Sequence, residues 1–172
     1  MKIISQADNL FSLSEMKAFL RISDDNDAEN SVIMNMTAAA VAWYESATGI
    51  FLRSTVLSHR FTESPVSITH RPYVSLSGAP LDDDDVSQLE NLTINELIGG
   101  GTVFTWDAVQ YGALTLTLLV GHATREAIPE TAAQAVRALV ADMYVNREYL
   151  NGNRMPSSIS AAMLLGESRT SI

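Results

Sequence analysis

The chain contains no cysteine. That excludes disulfides, thiolate metal ligands and a thiol nucleophile, and it fits a reducing compartment. No apolar run approaches the length of a bilayer span, so no membrane insertion is expected. The opening MKIISQADNLFSLSE lacks a continuous apolar stretch and a small-residue cleavage pattern, so no secretory leader is expected either. Basic residues are scarce: eleven Lys and Arg face twenty Asp and Glu, for a formal charge of −9. Such a surface repels a phosphate backbone over most of its extent, and no run of basic residues offsets it. Signatures of catalysis are missing too. There is no G-x-S-x-G elbow, and Gly99-Gly100-Gly101 is not followed by the Lys-Ser/Thr of a phosphate loop.

What is present is the material of one folded domain. The length of 172 residues allows one core, and 47% hydrophobic with 18% charged residues is a globular composition. Two helices come first. Ser12-Leu13-Ser14-Glu15 matches a capping box and opens a helix over about 13–22, with Leu13, Met16, Phe19 and Leu20 on one side. A second helix over about 28–48 carries Val32, Ile33, Met36, Ala39, Ala40, Trp43 and Ala47 at helical spacing and stops at Gly49. The most regular element is the last, over about 129–150. Pro129 suits its first position, Glu130 meets the helix dipole, and Ala132, Val136, Leu139, Val140 and Met143 form a buried stripe.

Between these helices, about 50–121 reads as short strands. Residues 50–61, 66–70, 73–77 and 102–106 are β-branched or alternate with period two. In ALTLTLLV (113–120), Leu114, Leu116, Leu118 and Val120 share one face. The acidic stretch 81–101 interrupts the block, with a short helical piece near 86–92. Helices segregated from strands imply an α+β fold, predominantly helical: a small bundle with an inserted antiparallel β block. Residues 1–154 form the domain and 155–172 an apolar tail, while residues 1–11 read as a lead.

Candidate chemistry is thin. Asp82, Asp83, Asp84 and Asp85 could hold a hard cation, but consecutive side chains diverge, and a solvated loop or subunit-interface segment is the better reading. Asp24–Glu29 lacks the Gly and terminal Glu of a calcium loop and reads as helix capping. His59, His70 and His122 have no metal-ligand spacing. Trp106 and Tyr111 are candidate interface anchors. No cofactor is expected.

Several stretches together resemble the head–tail connector (adaptor) family of long-tailed bacteriophages. They are 13–22 (LSEMKAFLRI), the 27–49 helix with Ala38-Ala39-Ala40 and Tyr44–Gly49, the run Leu116–Gly121 into Ile128-Pro129 and Tyr144–Glu148, and the closing Met155-Pro156-Ser157-Ser158-Ile159 with Leu164-Leu165. The stretch 81–101 matches least. The resemblance implies a non-enzymatic virion protein forming a ring of about a dozen subunits. That ring would sit under the portal protein, extend the channel through which double-stranded DNA passes, and receive a tail-side completion or stopper protein. It also makes Met155, Pro156, Ile159, Met163, Leu164 and Leu165 the candidate portal-docking residues. A tail-completion protein of the same virion is one alternative. A small-molecule-binding or enzymatic α+β domain, with the β block as its pocket, is another.

Overall fold

The computed structural model describes residues 2–62, 64–68, 71–76, 92–96, 102–105 and 114–146. In chain order its elements are β1 (Lys2–Gln6), α1 (Leu13–Leu20), α2 (Asn30–Thr48), β2 (Thr55–Phe61), β3 (Val66–Ile68), β4 (Tyr73–Leu76), β5 (Thr93–Glu96), β6 (Thr102–Thr105), β7 (Leu114–Val120), a 3-10 turn (Arg125–Ala127) and α3 (Glu130–Val145). They form two compact units. Of the described residues, one draws on those of 2–8 and 53–123, the other on Asn9–Leu52 and 124–146.

The fold is α+β, but the expectation of a predominantly helical bundle is wrong. Among the described residues three α-helices accompany seven strands in two antiparallel sheets. Two elements account for the misreading. KIISQ, expected as a lead, instead pairs along its backbone with β2, which lies beyond both first helices in the chain, from Lys2↔Ser58 to Gln6↔Thr55. TINE, inside the acidic stretch, has a single aliphatic residue to mark it, yet it pairs with β6 from Thr93↔Thr105 to Glu96↔Thr102. Neither has enough apolar alternation to be seen locally. Both are sheet-edge strands, held by ladder hydrogen bonds and not by burial.

In the β unit one sheet has the order β1-β2-β7-β4 and the other β3-β6-β5. β2 and β7 pair in register from Thr55↔Val120 to Phe61↔Leu114. The alternation of β7 works as its sequence implies: Leu116, Leu118 and Val120 are buried with Leu57 and Phe61 of β2. Each such aliphatic side chain contributes about 1.5–3 kcal/mol on burial. From the second sheet Phe104 is fully buried and meets Tyr73 edge-on at 5.6 Å between centroids. The ladder of β1 runs on through Ala7 N–H to Ser54 O at 2.8 Å, and Gly121 N–H donates to Pro72 O at 2.9 Å.

In the helical unit α2 packs on α3, and α1 packs on both. Ser12 Oγ accepts from Glu15 N–H at 3.1 Å, the backbone half of the capping box. α1 ends at Leu20 because Arg21 turns left-handed at φ 59°. Its buried side includes Met16 and, unexpectedly, Lys17, whereas Phe19 is exposed. The stripe of α2 is rotated from the expected one. Ile33, Met36, Thr37, Ala40, Val41 and Tyr44 are buried, while Val32, Ala39 and Ala47 are exposed and Trp43 is half-buried. Tyr44 and Val41 displaced Trp43 and Ala39 because two faces of this alanine-rich helix have nearly equal apolar content. Gly49, at φ 70°, closes the helix and donates to Glu45 O at 3.0 Å. In α3 the stripe is Ala132, Ala133, Ala135, Val136, Leu139 and Val140, and Pro129 is the residue before the first turn, at ψ 137°. These join Phe11, Leu52 and Ile128 in one apolar core.

Candidate functional site

The strongest polar constellation is an ion network in the helical unit. Glu15, on the first turn of α1, faces Arg125 from the 3-10 turn and Arg137 from α3. Its Oε1 accepts from Arg125 Nη2 at 2.8 Å and from Arg137 Nη2 at 2.6 Å. Arg137 Nη1 reaches Glu130 Oε1 at 2.5 Å, and Arg125 Nη2 lies 3.6 Å from Glu130 Oε2. The Arg125 guanidinium also stands over the Phe11 ring, 4.9 Å from its centroid. Burial alone would raise the Glu15 carboxyl, but the hydrogen bonds from Arg125 and Arg137 outweigh it and hold the group below its ordinary range. The capping-box carboxylate is thus spent on two arginines far away in sequence. Two guanidinium and two carboxylate groups cancel, and no side chain is left poised to move a proton. The arrangement fastens three segments together.

The acidic turn before α2 is organised from inside. The buried Lys17 donates from Nζ to Asp24 O at 2.9 Å and lies 3.8 Å from Asp27 Oδ1. Glu29 precedes the helix without a side-chain cap bond; its carboxylate instead accepts from the Tyr144 hydroxyl on α3. The turn is therefore a place where Lys17 and Tyr144 engage acidic and carbonyl oxygens. Glu45, nearly buried, accepts the Leu52 N–H at 3.0 Å, which fixes the chain leaving α2.

His59 stacks on Phe61, with centroids 4.4 Å apart and planes 6° from parallel, and burial lowers its pKa, helped by the terminal ammonium. Burial likewise lowers that of His122. Among the described residues no three His, Cys, Asp or Glu side chains gather as a metal site would need. His70, Asp82, Asp83, Asp84, Asp85, Trp106, Tyr111, Met155, Pro156, Ile159, Met163, Leu164 and Leu165 lie outside the described residues.

Two kinds of surface remain. Large apolar side chains stand exposed at Phe19, Val32 and Val145 in the helical unit and at Ile3, Ile4, Val74 and Ile94 in the β unit. The second is the solvated face of the four-stranded sheet. Because Thr55, Leu57 and Phe61 point to the core, Val56, Ser58 and Arg60 point away, and their ladder partners share that face: Lys2 and Thr117 beside Ser58, Thr115 beside Arg60, Ser5 and Leu119 beside Val56. Sequence reading missed this face. The alternation of β7 gave the threonine side, but its lateral neighbours depend on the register.

The chain thus pairs a unit of two antiparallel sheets with a three-helix unit that holds an internal ion network. Chains of gene transfer agent particles share this fold. A chain in the neck of an empty gene transfer agent (GTA) particle computed with C6 symmetry superposes with a TM-score of 0.72 at 17% identity, covering 97% of this chain and 95% of that one. A chain of the native GTA virion gives 0.69 at 17% over 96% and 94%, and one from the native neck computed with C12 symmetry gives 0.63 at 15% over 97% and 94%. No family model matches the sequence, and no curated protein does.

Proposed function

We propose that this chain is a structural protein of a virion neck: an adaptor that joins the DNA-filled head to the tail as a ring and carries no catalytic function. The observation that supports this most is the fold match to neck chains over nearly the full length of both partners. A chance likeness of one sandwich or one helix pair would cover only part of each chain. The order of the sequence stretches that resemble phage connectors points the same way. A ring of about a dozen copies needs a head-to-tail interface with two different patches on each subunit. The exposed Ile3, Ile4 and Val74 on one unit and Phe19, Val32 and Val145 on the other are available for such patches.

In this reading the portal protein is the head-side partner and a completion or stopper protein the tail-side one. Double-stranded DNA passes through without being read, and Met155–Leu165 is the segment that docks on the portal. Trp106, Tyr111 and Asp82–Asp85 belong to the contacts between subunits or the loops beside them. The test is deletion of the gene in its own phage or prophage, with electron microscopy of the lysate. Separate full heads and complete, unattached tails are expected. Intact tailed particles at normal yield would overturn the proposal.

A further inference from the structure

We infer that the solvated face of the four-stranded sheet is the surface that meets the sugar–phosphate backbone of the duplex; the inference rests on the neck reading above. The four strands carry no carboxylate at all, in a chain that has twenty. On the outward face Lys2 and Arg60 are both exposed, and neither pairs with an acidic group among the described residues. In the helical unit Arg125 and Arg137 are committed to Glu15 and Glu130, and Lys17 lies beside Asp27, while Arg21 is exposed. Beside Lys2 and Arg60 stand the short hydroxyl side chains of Ser58, Thr115 and Thr117, in adjoining ladder rows. The opposite face is closed by the buried Leu57, Leu118 and Val120, so this one is the side open to a partner.

A polyanion is the partner whose chemistry fits. Over most of an acidic protein a duplex is repelled, and an acid-free sheet face is where it can approach. Serine and threonine hydroxyls donate to phosphate oxygens at any register and read no base, as passage without sequence preference requires. The attraction is also weak by design of the numbers. Each cation adds a salt dependence of about 0.9 in log–log slope, so two per subunit hold a duplex loosely and let it move. Repeated around a ring, the face guides without gripping.

The test places a photoreactive benzophenone amino acid at Thr117, at Arg60, or at Asn95 on the outer face of the other sheet, each in the full chain. DNA-filled particles are irradiated and their DNA is analysed for covalently attached protein. DNA adducts from positions 117 and 60, and none above background from position 95, are expected. Combining Lys2→Glu and Arg60→Glu with the position-117 probe is expected to reduce the adducts. Particles that contain the labelled chain but yield only protein–protein adducts from 117 and 60 would overturn the inference and leave the neck reading standing. Absence of the labelled chain from particles complemented by the unlabelled one would remove the neck reading, and this inference with it.

Discussion

At Glu15 two demands meet. Its position three residues after Ser12 suits it to close a capping box, but its carboxylate turns to Arg125 and Arg137, with Glu130 completing the set. Hydrogen bonds to charged partners are worth about 1.5–3 kcal/mol each, and removing one side of such a set strands the others. Glu15→Ala is therefore expected to destabilise the protein by about 2 kcal/mol in urea unfolding. The pH dependence follows from the depressed carboxyl. Stability from Glu15 is complete above its unfolded pKa and is lost as pH falls through its lower folded value, so it fails only in acid. Glu15→Gln should flatten that acid limb of a stability–pH curve and change the neutral region less than Glu15→Ala does. Lys17 makes a related case: Lys17→Ala removes the charged donor to the Asp24 carbonyl, and a loss of about 1–3 kcal/mol is expected by the same measurement.

At the scale of the element, what could be read from sequence depended on whether a segment's order comes from itself. α3 and β7 were legible because their apolar residues repeat at the period of the structure they form. α2 was legible as a helix but not in its buried face, since alanines surround it and Tyr44, not Trp43, fills the core. β1 and β5 were illegible, being edge strands whose partners lie elsewhere in the chain. The candidate site fared likewise: neither the link of Glu15 to Arg125 nor the row Lys2–Ser58–Thr117 exists until distant segments pair. Two outcomes belong here. Arg21 holds a left-handed conformation that costs a residue with a Cβ about 1–2 kcal/mol, so Arg21→Gly should raise thermal stability. Leu118→Ala opens a cavity in the sheet core and should cost about 2–5 kcal/mol, read from the midpoint of denaturant unfolding.

For the molecule as a whole, the proposed division of labour separates folding from docking. A chain ending at residue 154 should keep the circular dichroism spectrum of the full chain yet fail to co-sediment with portal rings; undiminished co-sedimentation would exclude the tail as the docking segment. The route of the polypeptide has a further consequence. It starts in the β unit, crosses to the helical unit, returns for residues 53–123 and crosses back at Thr124. On the ribosome, at about 5–20 residues per second, β1 therefore waits seconds for β2, and α1 and α2 wait longer still for α3. Until β2 emerges β1 has no ladder, and until α3 emerges the apolar sides of α1 and α2 have no lid, so the helical unit is the last to finish. Nascent chains of this protein should therefore engage chaperones until α3 has been made, which ribosome profiling of chaperone-bound nascent chains would show.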